Sequence, residues 1–128
     1  IKGRELTCSI IGDMAYPVLE IIPKKDIYDY ECKYTKGMSE YICPAELSES
    51  ISLSIQDISL KAHTALGCRH YSRVDFLLDE NDNIWFLEIN TLPGMTETSL
   101  LPKSLKSAGV SFNEVIELII NEAYGVSK

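Results

Sequence analysis

The sequence predicts an α+β domain built on an antiparallel sheet with flanking helices. Two short, β-branched apolar runs, Leu6 to Ile11 and Val18 to Ile22, stand close together and are broken by Gly12-Asp13 and Pro17. A second pair, Val74 to Leu78 and Ile84 to Ile89, flanks the turn-forming tetrapeptide Glu80-Asn81-Asp82-Asn83, as in a hairpin. Apolar residues at helical spacing fall in Ser48 to Leu66 and after Ser99, so the order reads ββ, loop, α, ββ, αα.

The first strand begins almost at the start of the chain, without a preceding linker. That points to a piece of a longer protein. The 128 residues suffice for one domain with a core, but are few for a stand-alone enzyme that handles several substrates. With 45% apolar and 24% charged residues the chain shows no bias towards disorder.

A net charge of -7 argues against a nucleic-acid partner, because binding a phosphate backbone needs clustered Lys and Arg. Any phosphate held here is expected to need metal ions as intermediaries. No apolar run approaches the roughly 20 residues that span a bilayer, so no membrane partner is expected. The start, Ile1 to Leu6, lacks signal-peptide architecture, which points to the cytoplasm. Cys8, Cys32, Cys43 and Cys68 are scattered without a C-x-x-C pair, as expected of free, mostly buried thiols in a reducing compartment.

Residues 23–44 are polar, aromatic and irregular, a stretch too long for an ordinary connection, and predict a lid or binding loop. Ile51, Ile55, Ile58 and Ala62 form the apolar face of a helix, with Ser48 as N-cap and Gly67 past its end. A short helix from Ser99 to Ala108 stops at Gly109. Ser111-Phe112-Asn113-Glu114 is a capping box that opens a last helix reaching Ala123.

The chemistry concentrates on the hairpin. Alternation puts Arg73, Asp75 and Leu77 on one face of the first strand, and Glu88 and Asn90 on one face of the second. If Glu80 to Asn83 is the loop, Asp79 pairs with Ile84, which sets Asp75 opposite Glu88 and Arg73 opposite Asn90. Two carboxylates facing each other repel unless a cation lies between them. Carboxylate and carboxamide oxygens without His or Cys suit a hard ion such as Mg²⁺ beside phosphates, and Glu88 could bridge two ions.

On spacing alone, a solvated hairpin with Arg73 paired to Asp75 or Glu88 fits equally well. The loop Asn90 to Ser99 favours the metal site, because it runs from the ligand strand straight into a helix start. There, backbone N–H groups and the helix dipole can face an anion. Asp79, Asn81 and Asn83 imitate the opening of a calcium-binding EF-hand loop. That pattern fails, because its sixth position is Ile84 rather than Gly and its twelfth is Asn90 rather than Glu.

Arg73-Val74-Asp75-Phe76, followed by Leu87-Glu88-Ile89-Asn90-Thr91-Leu92-Pro93-Gly94-Met95-Thr96, closely resembles the signature of D-alanine–D-alanine ligases. Tyr28-Asp29-Tyr30-Glu31-Cys32-Lys33-Tyr34 looks like the ω-loop of the same family. The resemblance runs over residues 1–128 but matches only the C-terminal part of the family's ATP-grasp architecture; the N-terminal domain and most of the central domain are absent.

The resemblance implies that the parent enzyme phosphorylates one D-alanine with ATP and joins the acyl phosphate to the amine of a second, for peptidoglycan synthesis. By the same likeness Asp75 and Glu88 hold one Mg²⁺ (or Mn²⁺), and Glu88 and Asn90 the other. Arg73 and the Gly94 amide resemble the groups that stabilise the oxyanion, and Ser99 and the Leu100 amide those receiving the second D-alanine's carboxylate. Glu5 looks like the ribose-binding acid, Lys33 like a lysine on ATP phosphate, and Leu87 and Leu77 like apolar cover for adenine, although ordinary core packing would also explain the two leucines. Tyr34 resembles the tyrosine that closes the loop against the missing N-terminal domain.

Lys33-Tyr34 favours D-alanine over D-lactate as second substrate. Ile27, where an aromatic is usual, and Cys32, in place of alanine, depart from the pattern. A homodimer is the expected assembly of the full-length protein. Two alternatives remain: a related ATP-grasp ligase joining another carboxylate and amine, and an inactive nucleotide- and metal-binding module in the isolated chain. His63, His70 and Trp85 receive no role.

Overall fold

The computed structural model describes residues 3–23 and 39–125. Its strands are β1 (Gly3–Ile11), β2 (Met14–Ala15), β3 (Leu19–Pro23), β4 (Ser39–Ile42), β5 (Tyr71–Asp79) and β6 (Ile84–Asn90). Helix α1 (Glu49–Ala65) lies between β4 and β5; α2 (Leu100–Ser107) and α3 (Phe112–Ala123) follow β6. The strands form one antiparallel sheet in the order β4-β3-β1-β5-β6, with β2 folded back on β1.

Strand alternation divides the core. Leu6, Cys8 and Ile10 of β1 and Val74, Phe76 and Leu78 of β5 are buried on one face, where Ile55 of α1 joins them. On the opposite face, Ile11 packs with Tyr16, Leu101, Leu105 and Val115, so α2 and α3 cover that face at one end. Burying a side chain such as Leu101 or Leu105 contributes roughly 2 kcal/mol. Further along the same face, Glu5 and Asp75 look into a cavity instead of a helix.

The helix boundaries follow their signals. The Ser48 hydroxyl accepts from Ile51 N at 3.3 Å, Gly67 has φ +69°, and Gly109 has φ +84°. The Ser111–Glu114 capping box is reciprocal, with contacts of 3.0 and 3.2 Å. Backbone and side-chain hydrogen bonds from Ser111 hold the Glu114 carboxyl below its ordinary pKa.

Three expectations need correction. The loop expected over 23–44 contains β4, which pairs with β3 through Glu20↔Ile42 to Pro23↔Ser39. Four residues, Ser39-Glu40-Tyr41-Ile42, are too few to show an alternation, and backbone pairing at the sheet edge decides their state. The thiols are less buried than expected: Cys8 is inaccessible, whereas Cys43 and Cys68 are partly exposed. Burial pushes the Cys8 thiol up to about 12, so it stays protonated.

The third concerns the hairpin. Leu78, not Asp79, pairs with Ile84, and Phe76 pairs with Phe86, so near the turn the ladder is offset by one from the expected register. A bulge at Leu87 restores it, and beyond the bulge Asp75 faces Glu88 and Arg73 faces Asn90, as expected. The Asp79 carboxylate organises the turn. It accepts from Asn81 N (2.8 Å), Asn83 N (2.9 Å), Asn83 Nδ2 (3.1 Å) and Trp85 Nε1 (2.9 Å). These donors, Trp85 foremost, hold its pKa at about 2. The calcium-like trio is therefore a side-chain-capped turn, with Asp82 in the left-handed region at φ 61°.

Candidate functional site

A cavity of about 500 Å³ opens on the stretch of this same sheet face that α2 and α3 leave uncovered. Its floor is Glu5 of β1, Ile21 of β3, Tyr41 of β4, Arg73 and Asp75 of β5, and Leu87 and Glu88 of β6. Gly94, Thr98, Ser99 and Leu100 complete the wall where the loop enters α2. Residues from both ends of the chain meet because β1 lies between β3 and β5.

Asp75 is held from two sides. Arg73 Nε donates to Oδ1 at 3.1 Å and Nη2 to Oδ2 at 3.2 Å, while Thr7 Oγ1 lies 2.7 Å from Oδ1. Arg73 and Asp75 are mostly buried, and their pairing offsets one of the two facing negative charges. Glu88 is exposed. One neutralised carboxylate, one open carboxylate and the Asn90 carboxamide form a donor set that fits a hard divalent cation. Among the described residues, no three His, Cys, Asp or Glu side chains converge, so oxygen from bound phosphate would have to complete the coordination.

The loop after β6 is ordered by its own side chains. Asn90 Oδ1 accepts from Leu92 N at 2.9 Å, which orients the carboxamide. Ser99 occupies the N-cap position of α2 but does not cap it. Its hydroxyl instead accepts from Thr96 N at 2.9 Å and lies 2.8 Å from Thr96 Oγ1. The N–H groups of Leu100 and Leu101 thus begin the helix uncapped by Ser99, the geometry that receives a carboxylate. A Cβ on Gly94 would lie 3.0 Å from Ser99 Oγ, so the loop passes close to this hydroxyl.

Of the residues singled out from sequence, the cavity gathers Glu5, Arg73, Asp75, Leu87, Glu88, Gly94, Ser99 and Leu100. Asn90 stands opposite Arg73, next along the same face. Leu77 lies beside Glu5 on that face but is not part of the cavity lining. Lys33 and Tyr34, with Ile27 and Cys32, lie outside the described residues. Sequence reasoning passed over Thr7, Tyr41, Thr96 and Thr98. Thr7 was within reach of alternation, since it is two residues from Glu5; Tyr41 was not, because its strand went unrecognised.

His63 is buried, with Nδ1 2.6 Å from Ser72 Oγ behind the sheet, and burial lowers its pKa. His70 takes φ 72°, and Trp85 is spent on the Asp79 turn. None of the three is part of the cavity lining.

Antiparallel sheet, flanking helices and the acidic hairpin leading into a helix start define an ATP-grasp domain. A family model described as "D-ala D-ala ligase C-terminus" matches residues 1–121. The chain belongs to the D-alanine–D-alanine ligase family.

A D-alanine–D-alanine ligase of Methylacidiphilum infernorum is 48% identical over 124 residues, covering 97% of this chain and 41% of that protein. One from Aquifex aeolicus is 49% identical over 120 residues, covering 94% and 40%. The crystal structure of the Bacillus anthracis D-alanine–D-alanine ligase complexed with ATP superposes with a TM-score of 0.82 at 31% identity, covering 97% of this chain and 39% of that one. The VanG D-Ala:D-Ser ligase of Enterococcus faecalis gives 0.79 at 33% identity, covering 94% and 36%. The chain thus spans about two fifths of the length of its curated relatives. Among the described residues no helix is long and apolar enough to cross a membrane.

Proposed function

We propose that the full-length protein joins two D-alanines at the expense of ATP, through an acyl phosphate, and that this chain supplies its metal-, phosphate- and second-substrate-binding side. The supporting observation is the register that sets Asp75 opposite Glu88 and Arg73 opposite Asn90, in a cavity walled by Ser99 and the start of α2. Asp75, Glu88 and Asn90 would hold two Mg²⁺ or Mn²⁺ ions, which when bound neutralise phosphate charge during transfer.

Arg73 and the Gly94 amide face the charge that develops on the attacked carboxyl. Ser99 and the Leu100 N–H orient the carboxylate of the second D-alanine. Glu5 holds the ribose, and Leu87, with Leu77 beyond it, covers the adenine. Lys33 reaches the ATP phosphates, and Tyr34 closes the loop over the site. In this reading the protein is a cytoplasmic homodimer with small-molecule partners and no nucleic acid, and the 128 residues alone form a C-terminal ATP-grasp domain that does not turn over.

D-alanine-dependent ADP release by the full-length protein tests the reading. Glu88→Gln is expected to abolish it; intact turnover would remove the two-metal assignment. The likeness to a D-Ala:D-Ser ligase favours D-serine as the second substrate to try, and a preference for D-serine would replace the D-alanine reading of that subsite.

A further inference from the structure

We propose that Thr7 is a positioning residue that fixes the metal-binding carboxylate of Asp75; this rests on the metal site proposed above. Thr7 and Asp75 are direct partners across β1 and β5. The Thr7 side chain is inaccessible to solvent. Its Oγ1 lies 2.7 Å from Asp75 Oδ1 and 3.2 Å from the Val74 carbonyl oxygen.

A hydroxyl has one proton to give, and an ionised carboxylate can only accept. If that proton pointed at Val74 O, two acceptor oxygens would meet at the shorter of the two distances and repel. The proton therefore lies between Thr7 Oγ1 and Asp75 Oδ1.

With Arg73 Nε also on Oδ1 and Nη2 on Oδ2, Oδ1 carries two donors and Oδ2 one. The carboxylate cannot rotate without breaking a hydrogen bond, and Oδ2 keeps the larger free acceptor capacity. A cation then meets a ligand already oriented instead of having to order it. A threonine serving only as a strand former would have no such effect, and valine would replace it without loss.

Electron paramagnetic resonance of free Mn²⁺, with ADP present, measures ion binding by the full-length protein apart from turnover. Thr7→Val is expected to weaken Mn²⁺ binding by about 10-fold, the usual scale when the partner of a metal ligand is removed. Thr7→Ser, which keeps the donor, is expected to restore it, and KM for D-alanine is expected to stay unchanged. Wild-type Mn²⁺ affinity in Thr7→Val, or an equal loss in Thr7→Ser, overturns the proposal. Should Thr7→Val not fold, Thr7→Ala against Thr7→Ser decides by the same criterion. Glu88→Gln separates the two readings: if it too leaves Mn²⁺ binding intact, the metal site fails and Thr7 with it. If Glu88→Gln loses the ion and Thr7→Val does not, only the Thr7 assignment fails.

Discussion

Leu87 and Glu88 are consecutive on β6, and both line the same cavity. In a regular strand neighbours point to opposite faces, so an apolar wall and an acid could not stand side by side. The bulge makes it possible: Phe86 pairs with Phe76, Glu88 pairs with Asp75, and Leu87 is the residue left over. Phe86 meets Phe76 edge to face, with centroids 6.0 Å apart.

Deleting Leu87 is therefore expected to regularise the ladder without turning Glu88 away. The protein should fold and bind Mn²⁺ as before, but KM for ATP should rise because the apolar wall is gone. Loss of Mn²⁺ binding in the deletion variant would show that the bulge itself aims Glu88.

Ser99→Ala is expected to raise KM for the second D-alanine by about 10-fold or more, since a hydrogen bond to a charged group is worth ~1.5–3 kcal/mol. Gly94→Ala, whose Cβ would crowd the same hydroxyl at 3.0 Å, should act in the same direction. Steady-state kinetics with D-alanine varied checks both, and an unchanged KM in Ser99→Ala removes Ser99 from the subsite.

Asp79 gives a pH signature. Its carboxyl is held at about 2, against an ordinary value of 3.8, so the folded state binds its proton less tightly than the unfolded state. The stability it contributes is present above the ordinary value and is lost as pH falls through the folded one. Asp79→Ala should lower the urea midpoint at pH 7 and flatten the decline between pH ~4 and ~2. A decline as steep as in the wild type would show that other carboxyls dominate it.

His63 titrates higher. Burial favours its neutral ring, so its folded pKa lies below the ordinary ~6.5. Its contribution is complete above that value and shrinks as pH falls through the folded pKa, because the unfolded chain takes up the proton first. Urea midpoints at pH 7.5 and 5.5 should differ less in His63→Asn than in the wild type. The same difference in both would mean that His63 keeps its proton equilibrium on folding.

Much of this was legible because it depends on local rules. Ser48 and the Ser111–Glu114 box marked their helices, and side-chain period placed Asp75 with Arg73. The facing of Asp75 and Glu88 was reached through two compensating errors, a turn one residue too short and a missed bulge. Neither is visible in sequence, because the length of the turn is set by four donors folding onto Asp79, and the bulge by where Phe86 packs. β4 escaped because its pairing is made by backbone groups, and Tyr41 escaped with it. Thr7 lies far along the chain from Arg73 and Asp75, and only the pairing of β1 with β5 brings it to them.

The bulge has a consequence for how the protein behaves in concentrated solution. Among the described residues β6 is the last strand of its sheet, and Trp85, Phe86 and Leu87 on it are 44%, 46% and 52% exposed. An exposed apolar edge strand invites a strand from another molecule to add on and propagate an aggregate. Leu87 breaks the even spacing of hydrogen-bonding groups in the middle of that edge, and Glu88 places a charge beside the break. The irregularity that lets one strand present oil and acid together also spoils it as a template for self-assembly.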